Sequence, residues 1–272
     1  MKNVFLFFIM FLAISILQGG AANAQETDED VEIAKKLANP LSNMISVPLQ
    51  YNYDRNLGID GTGTSQIINI QPVIPFSLNE EWNLITRTII PLADSNGIIP
   101  GKHVSGLGDI QASQFFSPKK ATENGWIWGV GLIELLPSAT NEVLGRKQWG
   151  LGPTAAVLHQ HGPVTVGLLT NHIWSISGDD DHSDISSTYI QPFFSYIFVK
   201  TKTTVGISVE STYDWIDDQW SVPVIFTVSQ LLKSKNQLYQ ISLGARYWAV
   251  SADDGAEGWG LRAQLTLLFP KK

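Results

Sequence analysis

The last thirteen residues, "GLRAQLTLLFPKK" (Gly260–Lys272), decide how the rest of the chain is read. Leu261, Ala263, Leu265, Leu267 and Phe269 alternate with Gly260, Arg262, Gln264, Thr266 and Leu268. A period of two describes a strand with one apolar face and one largely polar face. In a soluble sandwich the apolar face turns inward onto a core. In an outer-membrane barrel it turns outward, into lipid. Alternation is the same in both cases, so the choice rests on the rest of the chain.

The other end narrows it. Lys2 precedes an apolar run, "VFLFFIMFLAISIL" (Val4–Leu17), and small residues continue up to Ala22-Asn23-Ala24. A charged start, a short apolar stretch and an A-x-A site are the parts of a secretory signal cleaved after Ala24. No later stretch approaches the roughly 20 apolar residues of a spanning helix. If the mature chain crosses a membrane, only a closed barrel can do so, because hydrocarbon offers backbone groups no water. The chain has no cysteine, so a disulfide-stapled secreted domain is excluded. Charged residues are only 16%, against about a quarter in soluble domains. The formal net charge of −7 argues against nucleic acid as a partner.

Residues 25–43 differ in pattern from the remainder of the chain. In "ETDEDVEIAKKLANP" acids crowd the start, Lys35 and Lys36 sit near the end and Pro40 stops the run, which predicts a short helix. It reads equally as a plug, a periplasmic appendage or a solvated leader. Residues 44–272 read as strands and turns throughout, about twelve strands, in an up-and-down antiparallel meander that closes into a transmembrane β-barrel. Connections after odd-numbered strands are acidic or Gly/Asp-rich, with 94–105 among the long ones. Those after even-numbered strands are mostly short and carry lysine, the asymmetry of a barrel with both termini in the periplasm.

Tryptophan supplies the deciding signal. Trp149, Trp174, Trp215, Trp220, Trp248 and Trp259 fall at strand ends beside the expected outer loops, and Trp82, Trp126 and Trp128 at strand starts on the other side. Indoles collect at headgroup level because the ring is apolar and the N–H seeks water, so these residues predict two girdles. The apolar face then meets lipid, and the opposite face is a lumen. Arg87, Asp109, Gln111, Glu210, Asp214, Arg246, Arg262 and Gln264 fall on that inward face and are the candidates for solute selection. Two readings of the charges stay open: salt bridges that rigidify a filled barrel, or a constriction that sorts solutes.

Several segments resemble one family. "LANPLSNMISVPLQYNYD", "INIQPVIPFSLNEEWNLITRT", "GLGDIQASQFFSPKK", "QWGLGPTAAVL", "NHIWSISGDDD", "ESTYDW" and "TLLFPK" are similar, in this order, to the meta-pathway phenol-degradation family of Gram-negative outer-membrane proteins. The resemblance spans about Leu37 to Lys271 and implies a passive transporter for small organic solutes, aromatic or apolar ones included. No site residues are carried over from it. Phe269 is followed by Pro-Lys-Lys, whereas many such barrels end on the Phe that the barrel-assembly machinery reads.

Other chemistry is weakly signalled. Asn171, His172, Ser175 and Ser177 would have to converge for an outer-membrane lipid hydrolase, and spacings of three or five along one strand do not favour it; hydroxyls from neighbouring strands could meet the base, but the sequence singles none out. Asp179, Asp180, Asp181 and Asp184, with His182, form the densest acidic cluster but lack the spacing of a calcium loop. His159 and His161 sit in a turn. The expectation is therefore a non-enzymatic channel without cofactor, in contact with outer-membrane lipid and lipopolysaccharide. Its alternatives are a filled barrel acting through loops that adhere or touch lipopolysaccharide, and the lipid hydrolase. The exported protein is expected to begin at Gln25, checked by intact mass of the protein extracted from outer membranes with detergent.

Overall fold

The computed structural model describes residues 28–178, 183–234 and 237–269. The expected signal segment, Asp179, Asp180, Asp181 and His182 lie outside the described residues. A helix, α1 (Asp28–Leu37), opens the described chain, and Lys35 and Lys36 occupy its last turn. Then come β1 (Ile45–Leu57), β2 (Gly63–Ile70), β3 (Val73–Ser77), β4 (Trp82–Asn96), β5 (His103–Leu107), β6 (Ile110–Pro118) and β7 (Trp126–Leu136). A 3-10 turn (Glu142–Leu144) precedes β8 (Gln148–His161), β9 (Val164–Gly178) and β10 (Ser186–Phe198). The chain ends with β11 (Thr203–Val209), β12 (Ser211–Asp214), β13 (Gln219–Ser234), β14 (Gln237–Val250) and β15 (Gly258–Phe269).

These segments form one closed antiparallel barrel of twelve wall strands, because β2–β3, β5–β6 and β11–β12 are each one wall strand with a break. Closure comes from the first and last strands. Leu49 pairs with Leu265, Tyr51 with Ala263 and Asn52 with Arg262, so the opening alternation continues in register onto β1. Each break has the same cause. The N–H groups of Gln71, Gly108 and Glu210 donate to the carbonyls of Pro48, Pro91 and Pro223, at 2.9, 2.9 and 3.0 Å. A proline accepts but has no N–H to give back, so the ladder lapses there.

The polar stretch 94–105 is not one long loop. Asp94, Ser95 and Asn96 pair with Ser105, Val104 and His103 on one side and with Gln66, Ser65 and Thr64 on the other, so the wall continues through β4 and β5 and the turn shrinks to 97–102. Turns at the opposite end are short, as at 162–163 between β8 and β9. Gly131 and Gly152 let neighbouring strands approach: a Cβ would overlap the backbone carbonyl of Gln114 at the first and of His172 at the second.

Exposure answers the question raised by the terminal strand. Mid-strand residues of the apolar face lie on the outside: Phe226 is 50% exposed, Val228 55% and Leu132 50%, with neighbours such as Val166, Phe194, Leu243 and Leu261 alike. An apolar belt running round the molecule is far larger than the patches soluble monomers tolerate, so this surface faces lipid. Trp82, Trp126, Trp128, Trp149, Trp174, Trp215, Trp220 and Trp259 lie on that face near strand ends, with Trp82 edge-on to Trp128 at 5.9 Å and Tyr247 tilted on Trp259 at 4.9 Å.

Trp248 corrects the girdle. It shares a face with Arg246, two residues away on β14, and its indole turns into the barrel. Strand-end position predicted a lipid-facing ring, but the parity of β14 assigns it to the lumen.

The N-terminal segment enters the barrel at the short-turn end. Ile33 and Met44 pack on Leu231 and Leu268, while Leu41 is buried among Ile85, Phe115, Leu158 and Leu169. Gln160 donates its amide to the Lys35 carbonyl at 2.9 Å, tying α1 to the inner wall. Val228→Arg, at mid-strand on the outer face, should cost about 2–4 kcal/mol, measured by reversible unfolding in lipid vesicles.

Candidate functional site

The polar face of the closing strands makes a belt across the lumen. Asn52 and Asp54 on β1, Arg262 and Gln264 on β15, and Arg246 and Trp248 on β14 share it through the period of two. Glu210 sits at the β11–β12 break, with two wall strands between it and β15. Arg262 nonetheless reaches it with both terminal nitrogens, at 2.6 and 2.9 Å, and gives its Nε–H to Asn52 at 2.7 Å. Such a two-pronged guanidinium–carboxylate contact is the strongest kind of protein ion pair, and both groups are largely shielded from solvent here.

A second pair lies beside it. Arg246 donates to one oxygen of Asp54 at 2.8 Å, and the Trp248 indole donates to the other at 2.8 Å. The guanidinium lies 4.5 Å from the Trp248 ring centre, within cation–π range. Both residues must cross β15 to reach β1, and Gly260 makes the crossing possible: a Cβ there would press against the Asp54 carboxylate at 2.6 Å.

A chain of amides completes the belt. Arg87 donates to Gln71 at 2.8 Å, Gln71 and Asn52 both donate to the Gln50 side-chain oxygen Oε1 at 3.3 and 3.2 Å, and Gln50 donates to Gln264 at 3.0 Å. Gln264 then donates to Thr266 at 2.9 Å. Gln71 falls at the β2–β3 break, so the proline-caused breaks at Gln71 and Glu210 both carry polar groups of the belt. The facing wall is apolar, built from Ile85, Phe115, Leu158 and Leu169 with Val73, Tyr189 and Phe193 against them.

Two cavities flank the belt. One of about 320 Å³ lies between it and the N-terminal segment, lined by Arg87, Glu210 and Arg262 on the belt side and by Leu37 and Met44 on the other. The second, about 490 Å³, opens toward the long loops, lined by Asp109, Gln111, Asp214 and Arg146 among others. The loop 137–147 folds over this mouth because Asp109 accepts the backbone N–H groups of Ala139 and Arg146 at 3.1 and 2.6 Å. Arg146 also approaches Asp214 at 3.6 Å.

The eight polar candidates therefore divide by depth. Arg87, Glu210, Arg246, Arg262 and Gln264 meet in the belt, and Asp109, Gln111 and Asp214 line the outer cavity. Sequence reasoning missed Asn52, Asp54, Gln50 and Gln71. The alternation in "SVPLQYNYD" could have found the β1 residues, since it puts Gln50, Asn52 and Asp54 opposite Leu49, Tyr51 and Tyr53.

The weaker candidates lie outside the belt. His172 lies on the outer face, its Nδ1 2.7 Å from the Thr188 hydroxyl and its ring 4.0 Å from that of Trp174. Ser175 turns the other way and donates to Asp184 at 2.9 Å. His159 contacts the Asn124 carbonyl at 3.1 Å and lies beside Trp126. Among the described residues no three metal-ligating side chains cluster.

A closed barrel with an outward apolar belt and a charged lumen is the architecture of outer-membrane β-barrel proteins. Solved structures share the barrel fold. A COG4313 outer membrane channel from Pseudomonas putida F1 is 16% identical, with a TM-score of 0.66 over 84% of this chain and 96% of that one. The outer membrane phospholipase A from Escherichia coli is 9% identical, with a TM-score of 0.50 over 85% of this chain and 93% of that one. No protein-family model and no curated protein matches the sequence.

Removing one member of the Arg262–Glu210 pair strands a buried charge. Arg262→Ala or Glu210→Ala should each destabilise the barrel by about 3–5 kcal/mol, while Arg262→Met combined with Glu210→Leu recovers most of the loss. Equilibrium unfolding of all three variants in vesicles measures this.

Proposed function

We propose that the chain is a passive outer-membrane channel for small organic solutes, aromatic or apolar ones included. The observation that carries this reading is the pair of cavities on either side of one polar belt, along a lumen with one hydrogen-bonding wall and one apolar wall. Such a passage suits molecules with both kinds of surface, because neither wall alone would hold them tightly enough to stop them leaving. The resemblance to the phenol-degradation family points the same way. In this reading the signal segment exports the chain, the barrel-assembly machinery inserts it, and the long loops face lipopolysaccharide outside the cell.

The channel works without catalysis and without a cofactor. The Pseudomonas putida relative is described as a channel, which favours the same role here.

A filled barrel acting through its loops is the second reading, favoured by the paired charges of the belt and by α1 in the short-turn mouth. Planar-bilayer recording separates the two. The whole protein should give small, discrete conductance steps, and deletion of residues 28–40 should enlarge them several-fold. A barrel silent in both forms, though folded by its heat-modifiable migration in gels, sinks the channel reading.

A further inference from the structure

We infer that Arg87 is a docking residue for organic carboxylates, so that the inner cavity takes singly charged anions with an apolar body. The inference rests on the lumen being a solute site, as proposed above, and adds the chemical class of the solute. It starts from an imbalance of charge. The belt holds three guanidinium groups, on Arg87, Arg246 and Arg262, against two carboxylates, on Asp54 and Glu210. Glu210 gives both oxygens to Arg262, and Asp54 divides its two between Arg246 and Trp248. Glu210 feels Arg87 only through space, and neither carboxylate makes an ion pair with it.

Arg87 itself is underused. Of the five N–H donors of a guanidinium, one goes to the neutral Gln71 oxygen at 2.8 Å, and among the described residues no carboxylate lies within ion-pair distance of it. It is half-buried and lines the 320 Å³ cavity. A charge placed out of bulk water without a counter-ion is costly, and a carboxylate entering the cavity removes that cost. The planar fork of arginine matches a carboxylate in two parallel hydrogen bonds, whereas lysine keeps the charge without the fork.

The rest of the cavity describes the body of the solute. Val73, Leu169 and Phe193 on the wall and Leu37 from the N-terminal segment offer apolar contact opposite the polar belt. The volume is at the small end of the roughly 300–1,000 Å³ of small-molecule sites. A compact aryl or alkyl group fits that description. An ammonium group in the same place would meet the like charge of Arg87 and find both nearby carboxylates already engaged.

The test measures binding by the whole protein in lipid nanodiscs, using isothermal titration calorimetry with empty nanodiscs as blank. Three probes share one body: 4-phenylbutyrate, 4-phenylbutanol and 4-phenylbutylamine. The expected result is saturable binding of the carboxylate alone, weakened at least tenfold in Arg87→Gln and to a smaller extent in Arg87→Lys. Heat-modifiable gel migration verifies that each variant is folded. The inference is overturned if the carboxylate does not bind, if alcohol or amine binds as well as the acid, or if Arg87→Gln leaves affinity unchanged. Saturable carboxylate binding by a barrel that never conducts would overturn the channel reading and leave this one standing.

Discussion

Everything in this molecule depends on the pairing of β1 with β15. In hydrocarbon an unpaired backbone N–H or C=O costs several kcal/mol, and a sheet with free edges would expose two rows of them. Closing the sheet removes both rows and creates an inside. Once the ring is closed, each side chain has only two destinations, lipid or lumen, and the parity of its position decides which. The apolar face of the terminal strand then goes outward because lipid is the only medium there.

Closure also explains the polar belt. Charges cannot point into lipid at mid-strand, so Arg87, Arg246, Arg262 and Glu210 are committed to the interior. There each must find partners. Arg262 and Arg246 do, through Glu210 and Asp54, and the absence of a side chain at Gly260 gives the second pair its path. The prolines contribute indirectly: by interrupting the ladder at Gln71 and Glu210 they loosen the wall where belt residues project. A cross-link of this kind ties β1, β14 and β15 to the β11–β12 break across the lumen.

The belt is neither a simple plug nor an open ring. Two of its guanidinium groups are matched by carboxylates and one is not, and the opposite wall is apolar. The N-terminal segment adds a floor at the short-turn end, where Leu41 packs among Ile85, Phe115 and Leu158. The lumen is thus divided into chambers of about 320 and 490 Å³ rather than running as one wide water-filled tube.

The amino-acid sequence alone determined the class of fold, because two-residue alternation, tryptophans at strand ends and the lack of a long apolar helix are local patterns that need no knowledge of contacts. It also determined that Arg87, Glu210, Arg246 and Arg262 face away from lipid, since parity along a strand is readable. Parity is also where local reading failed: Trp248, placed by strand-end position in the girdle, belongs to the inner face of β14. Only the tertiary structure decided who partners whom. Asp54 and Arg246 are 192 residues apart, and Glu210 and Arg262 come from strands that are not neighbours. Such contacts depend on register around a closed ring and on which small residue lies between, and neither leaves a periodic trace in the chain.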